Sequence, residues 1–377
     1  MRMNIGVIGI GNAGGQVAAL AKKENMDAIA INVSEDDTKT IEGITTLVIG
    51  NSMGSGKNRE LAKKYGKASI RKLIEQPDFD GLIRKNQIVF VVYSTGGGTG
   101  SALGPMTTAV LKQHYSNDDE SKRTRFVNVA ILPDISEALH SQNSTMEAIT
   151  ELMRYKSTYT FYDNGKYFDR PVNEVLDAVN RDIVEDMKVI RGDYCVLTKY
   201  DSIDMQDMLN IMSFDGMFRI VSAVGFQEKD LDKKDLEDML IDDLQNGSGC
   251  ELDRDRHINC IAPVVNIRAD ISSAYNKAFP KMKDIMGDAP VKFLHYYVIG
   301  NDEEHLLNRA HVIMTGLHLP NDRLNKINQR IEEAKKALEE EEPESAALAA
   351  FSESKNMISA NNKQNSGESV DSILDMF

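Results

Sequence analysis

Cysteine is scarce in this chain: Cys195, Cys250 and Cys260 are the only three in 377 residues. They show no Cys-x-x-Cys spacing, and an odd number cannot all pair. A disulfide framework is therefore not expected, and a reducing compartment is. The seven histidines form no His-Glu-x-x-His. His257 and Cys260 lie three apart but are read as unrelated, so no metal site is expected. No apolar run reaches the roughly 20 residues that cross a bilayer. Met1-Arg2-Met3-Asn4 leads straight into an apolar stretch, so no signal peptide is expected. Positive charge is short as well: 44 Lys and Arg face 58 Asp and Glu, a net charge of −14. That balance argues against direct, non-specific binding to nucleic acid, whose phosphates reward cations. If DNA is cargo, a basic adaptor makes the contact. What remains is a soluble composition, 41% hydrophobic and 27% charged, with length for two domains and a tail.

Glycine is present, and it is clustered. Tyr93-Ser94-Thr95-Gly96-Gly97-Gly98-Thr99-Gly100-Ser101 follows an apolar, β-branched run from Gln87 to Val92. It precedes a helical stretch from Ala102 to Tyr115. Three consecutive glycines let the backbone approach a ligand. The loop N–H groups and the helix N-terminus suit a phosphate chain, and Thr99 and Ser101 add hydroxyl donors.

Gly-Gly-Gly-Thr-Gly-Ser after a buried strand resembles the signature loop of the tubulin and FtsZ superfamily of GTPases. The likeness recurs in order from about residue 5 to about residue 210. It is greatest to the TubZ and PhuZ branch, the tubulin-like proteins of plasmids and bacteriophages.

A strand at Ile5 to Ile8 precedes a second glycine loop, Gly9-Ile10-Gly11-Asn12-Ala13-Gly14-Gly15-Gln16, and a helix from Val17. Alone, Gly9-x-Gly11-x-x-Gly14 in a β-α-β unit is the dinucleotide fingerprint, and it supports an NAD-binding oxidoreductase as a rival. Against it, the next strand, Ala28 to Val33, has no acid at its tip, although Glu35 lies near. The resemblance makes this stretch the first phosphate loop. Gly11, Gly14 and Gly15 come close to the nucleotide, and the Asn12 and Gln16 amides reach phosphate oxygens or a metal-bound water.

Gly50 to Asn58 is not a Walker loop, because Asn51 and Asn58 break the pattern. It resembles the family's Gly-x-Gly-x-Asn loop that senses the γ-phosphate, with Gly56 and Asn58 in place and Lys57 adding charge. Pro133 to Leu139 resembles the ribose loop, so Glu137 inherits a ribose hydroxyl. Ser141 stands where FtsZ carries arginine, and Asn143 partly substitutes. Asn164, after a strand at Tyr159 to Tyr162, matches the asparagine that meets guanine. Asn173 and Glu174 match the start of the long central helix. An amide supplies a donor for O6 and an acceptor for the ring N–H and amine, and a carboxylate adds acceptors. Lys199 to Met205 resembles the loop that acts on the neighbouring subunit's nucleotide, which makes Asp201 and Asp204 the catalytic candidates.

The implied fold is α/β: a tubulin-like GTPase domain with a parallel sheet (1–169), a central helix (170–192), a smaller α/β domain (193–320), a C-terminal helix (321–343) and a disordered, flexible tail (344–377). The second domain's strands are placed at Ile258 to Arg268, Val291 to Gly300 and Ala310 to Leu319. The acidic stretch 230–243 reads as a solvated helical face. The implied activity is GTP hydrolysis, with GTP or GDP and Mg²⁺ bound. The chain is expected to polymerise head to tail with itself in the bacterial cytoplasm. Plasmid or phage DNA is the implied cargo, carried through a DNA-binding adaptor, with an FtsZ-like division role as the alternative.

Overall fold

The computed structural model describes residues 2–50, 54–116, 124–167, 170–195, 203–231, 236–253, 257–271, 289–293, 295–299, 307–341 and 370–377. β-Branched and aliphatic runs build the first six strands: β1 (Ile5–Ile10), β2 (Asp27–Asn32), β3 (Thr45–Val48), β4 (Ile88–Ser94), β5 (Arg125–Leu132) and β6 (Thr158–Asp163). They lie parallel in the order β3-β2-β1-β4-β5-β6. Helix α1 (Gly11–Lys23) follows β1, α2 (Glu35–Thr38) follows β2, and α3 (Arg59–Ile74) and α4 (Pro77–Lys85) follow β3. Helix α5 (Gly98–His114) follows β4 and α6 (Leu139–Leu152) follows β5.

The strand order reverses between β1 and β4, and the helices after them pack on opposite faces of the sheet. One core contains α1 residues Val17 and Ala21. The other contains α5 residues Leu103 and Met106. The loops after β1 and β4 therefore diverge and open a crevice at the carboxyl ends of the strands, where open α/β sheets hold ligands.

The central helix α7 (Val172–Arg191) shares the α1 face and buries Val175, Val179, Ile183 and Met187. Gly192 ends it in the left-handed region at φ 85°. Helix α8 (Met205–Ile211) leads to β7 (Gly216–Val224), which pairs parallel with β6 at Thr158 and Tyr159. Next come α9 (Glu228–Leu231), α10 (Leu236–Asn246), β8 (Cys260–Arg268), β9 (Val291–Lys292), β10 (His295–Ile299) and β11 (Arg309–Leu317). β11 lies between β7 and β8 and is antiparallel to both. The strands after α7 thus extend the sheet of the first six.

Three expectations change. The first glycine stretch is not a loop: β1 runs to Ile10 and α1 begins at Gly11. A Cβ on Gly14 would sit 2.1 Å from the Val92 carbonyl, so that glycine lets the helix press on the sheet. The strand at 291–300 is two short strands, β9 and β10, each parallel to β8. The acidic stretch is only partly solvated, because Leu236, Leu240 and Leu244 recur every four residues and are buried.

A C-terminal helix (Asn321–Glu341) packs against α6 through Leu324, Ile327 and Ile331. The end of the expected tail is ordered on the protein: a short terminal helix (Val370–Asp375) lies against α5 with Leu374 buried.

Candidate nucleotide site

Two helices start side by side at the crevice. Gly11, at φ 73°, turns β1 directly into α1, and a Cβ there would lie 3.2 Å from the Gly100 nitrogen. Neither α1 nor α5 has a side-chain cap. Their first N–H groups and positive dipole ends converge without an internal acceptor. By contrast Ser34 caps α2 and Asn58 caps α3. A Cβ built on Gly97 or Gly56 meets nothing within 4 Å. That open space beside two bare helix ends fits a phosphate chain.

Other signature-loop residues build the loop. A Cβ on Gly98 would reach Ser55 Oγ at 2.5 Å and Lys57 Cα at 2.7 Å, so this glycine lets the 54–58 loop lie on the signature loop. Gly96 abuts Pro133 and Ser141, and Gly100 abuts Ser94. Thr99 is half-buried in the first turn of α5. The Ser101 hydroxyl faces inward: it donates to the Gly97 carbonyl and accepts from Arg59 Nε at 3.1 Å. It organises the loop from behind rather than pointing at the crevice.

Gln16 Nε2 donates to the Thr40 carbonyl at 3.0 Å, and the Thr40 hydroxyl donates to Asn12 Oδ1 at 3.4 Å. Both amides therefore meet at Thr40, a residue that carries no sequence motif. Gly15 packs under Ile41. Asn58 Oδ1 accepts from Leu61 N at 3.0 Å, so the γ-phosphate candidate also caps α3. Lys57 adopts φ 63°, an uncommon left-handed conformation for a lysine.

Arg59 is the residue the motifs missed. It is buried, and its Nη2 donates to the Ser101 carbonyl at 3.0 Å and to Glu151 at 2.8 Å. Its Nη1 donates to Glu147. Lys63 pairs with Glu151 at 2.7 Å. A signal existed: Glu147 and Glu151 are like charges one turn apart, which call for a cation.

The residues expected to meet the nucleoside lie after β5 and β6. Thr95 is locked there by Ile131 O and Thr145. The exposed Glu137 accepts from Asp134 N at 3.3 Å. Gln142 donates to the Asp134 carbonyl at 2.7 Å, and Asn143 is half-buried beside it. Asn164 opens a short 3-10 turn (Asn164–Tyr167) that lies along α7, where Tyr167 donates to Asp182. Asn164 Oδ1 and Gln142 Oε1 are buried acceptors without a partner among the described residues. A purine N–H or amine fits such an acceptor. Asn173 and Glu174 are exposed in the first turn of α7.

The tip of β2 speaks against the dinucleotide reading. Asn32 Oδ1 accepts from Val33 N and Ser34 N, while Glu35 is exposed at the start of α2. Asp204 sits beyond the far end of α7, where it caps α8 and exchanges hydrogen bonds with Asp207. Asp201 lies outside the described residues. Among the described residues no cluster of three His, Cys, Asp or Glu could hold a metal, and no helix is long and apolar enough to cross a membrane.

Residues 4–170 match the tubulin/FtsZ family, GTPase domain. The tubulin-like protein CetZ of Pyrococcus abyssi is 25% identical over 254 residues, which are 64% of this chain and 66% of that protein. The match thus spans a little under two thirds of that relative's length. The structure of CetZ2 from Haloferax volcanii, a GTPγS-bound protofilament, superposes with a TM-score of 0.68 at 18% identity, covering 90% of this chain and 100% of that one. TubZ of Clostridium botulinum phage c-st superposes at 0.65 with 18% identity, covering 89% and 100%. At these identities the two structures establish the shared fold.

Proposed function

We propose that this chain, whose residues 4–170 match the tubulin/FtsZ family GTPase domain, binds and hydrolyses GTP and assembles head to tail into filaments. The observation that carries this reading is the pair of adjacent, uncapped helix ends, α1 and α5, facing the open space at Gly97. The backbone N–H groups hold the triphosphate. Asn164, Asn173 and Glu174 read guanine, and Glu137 takes the ribose. Mg²⁺, when bound with the nucleotide, offsets phosphate charge. Asn12 or Gln16 reaches it through water.

The 20 residues of α7 separate these groups from Asp204 by about 30 Å along the axis. Asp204 therefore cannot serve its own nucleotide. A head-to-tail neighbour brings Asp201 and Asp204 to the γ-phosphate, where carboxylates orient the attacking water. Hydrolysis then depends on assembly. The likeness to a protofilament of CetZ2 supports the assembly step, and plasmid or phage DNA carried through an adaptor is the cargo proposed for such a filament.

Asp204→Asn tests the catalytic claim cleanly, because asparagine caps helices as well as aspartate does. The variant should bind GTP and sediment as polymer, yet hydrolyse at about one hundredth of the wild-type rate or less, the scale at which a single catalytic group counts. Wild-type turnover in Asp204→Asn polymer would remove Asp204 from the mechanism. A rate per subunit that is independent of protein concentration would remove the shared site.

A further inference from the structure

One buried ion pair sits directly behind the nucleoside loops. Arg323 is the third residue of the C-terminal helix, and Asp163 is the last residue of β6. They are 8% and 4% exposed and lie 160 residues apart. Arg323 Nε donates to Asp163 Oδ2 at 2.6 Å, and Nη2 donates to Oδ1 at 3.0 Å. The same Nη2 donates to the Pro133 carbonyl at 2.8 Å. Asp163 Oδ1 also accepts from Gly165 N at 2.9 Å, which closes a turn around Asn164. One guanidinium therefore holds the carboxylate that shapes the Asn164 turn and the carbonyl from which the Glu137 loop departs. The two loops touch as well: a Cβ on Gly165 would lie 3.2 Å from Asp134 Oδ2.

The helix that carries Arg323 is itself held in place. Asp253 accepts from Asn321 N at 3.1 Å, Asn321 Nδ2 at 2.9 Å and Asp322 N at 3.1 Å. A planar fork with several fixed donors suits this place, since it adds the second carboxylate bond from Nε that a lysine's single nitrogen would lack.

We infer that Arg323 is a positioning residue for the nucleoside: from the C-terminal helix it sets the relative placement of the base loop at Asn164 and the ribose loop at Glu137. The inference rests on the GTP reading of the site. It predicts that losing Arg323 weakens recognition of base and ribose and leaves the phosphate cradle intact, because among the described residues no side-chain hydrogen bond of Arg323 or Asp163 reaches α1 or α5.

Calorimetric titration of the full chain with GTP, ITP and inorganic tripolyphosphate tests it. ITP lacks the guanine amine, and tripolyphosphate lacks the nucleoside. Arg323→Met should weaken GTP about 30-fold, the scale of losing a charged, bidentate hydrogen bond. It should reduce the preference for GTP over ITP and change tripolyphosphate affinity less than about twofold, within ordinary scatter. Arg323→Lys, which keeps the charge, should retain the fold and show a smaller loss with the same pattern. If Arg323→Met does not fold, Arg323→Lys decides. Equal losses for GTP and tripolyphosphate, or unchanged GTP and ITP affinities, would overturn the inference. A wild-type chain that binds no GTP overturns the GTP reading first, and this inference with it.

Discussion

In the proposed site the phosphate half is made of backbone, and the nucleoside half is made of side chains held from far away. Around Gly11 and Gly97 the donors are main-chain N–H groups fixed by two strand-to-helix turns. At Asn164 the contact depends on a turn closed by Asp163, which Arg323 holds across 160 residues. The first half is vulnerable to added atoms and tolerant of distant change. The second is the reverse. Separate damage to the two halves should leave separate signatures.

The largest expected effect comes from a single added side chain on the backbone half. Gly97→Val places its Cβ where nothing of the protein lies within 4 Å, so the fold should be little disturbed. GTP and tripolyphosphate should both weaken by about 100-fold or more, since each lost phosphate contact is worth ~1.5–3 kcal/mol. Calorimetry and thermal melting together check this. An unchanged affinity at an unchanged melting point would remove the signature loop from the site. Retained tripolyphosphate binding with lost GTP would erase the contrast between the halves.

Next in size is Arg59, the side-chain support beneath the backbone half. Arg59→Met leaves Glu151 buried but still paired with Lys63. The expected destabilisation is about 3 kcal/mol, the low end of the range for breaking a buried pair. The exposed end of the network, at Glu147, adds little, because water screens it. Arg59, the first residue after the proposed γ-phosphate loop, also holds Ser101, so discrimination between GTP and GDP should fall along with stability. Denaturant titration and paired affinities measure both. Lost stability with intact discrimination would make Arg59 only a brace.

Local sequence carried the backbone half almost completely. Gly96 to Ser101 between an apolar run and a helix, and Gly9 to Gly15 in a β-α-β unit, both announce a strand-to-helix turn. Even there the glycines divide in ways the text does not mark: Gly14 and Gly100 serve close packing, while Gly97 and Gly56 face open space. The Ser101 hydroxyl reads as a phosphate donor and is instead spent on Gly97 and Arg59. The nucleoside half was legible only as isolated candidates, Glu137, Asn143, Asn164, Asn173 and Glu174. Arg323 stands in an unremarkable charged helix, and nothing local ties it to Asp163. The merging of both domains into one sheet was equally hidden, because it rests on two residue pairs between β6 and β7.

A smaller and pH-dependent effect belongs to the nucleoside half. Tyr162, the neighbour of Asp163, donates to Asp186 Oδ2 on α7 at 2.5 Å. Burial raises the Asp186 carboxyl from 3.8 to about 7, with Arg219 opposing the shift and Asp243 and Asp182 adding to it. An acid with a raised folded pKa favours the fold below its unfolded pKa. That contribution is lost as pH rises through the folded value. The wild-type chain should therefore lose stability between about pH 4 and pH 7. Asp186→Asn keeps an acceptor for Tyr162 and never ionises, so it should flatten this slope and gain on the order of 2 kcal/mol at pH 8. Melting curves across pH check it. An unchanged slope would place the titration elsewhere.

The smallest effect returns to the phosphate half from the far end of the chain. The terminal helix lies on α5, the helix whose N-terminus faces Gly97. Its anchor is Leu374, with Ile373 and Phe377 partly buried against the same core and Arg154 donating to the Met376 carbonyl. A six-residue helix with one fully buried leucine has little apolar area to lose. Leu374→Ala should cost about 1 kcal/mol, less than the usual 2–5 for a core leucine. In a chain of this size that lowers the melting point by about 1 °C. Affinities for GTP and tripolyphosphate should stay equal to wild type, because the first turn of α5 is fixed by β4 and by Arg59 on Ser101 rather than by its outer face. A selective loss of tripolyphosphate binding would mean that the terminal helix reaches the phosphates through α5. The backbone half would then depend on distant sequence just as the nucleoside half does.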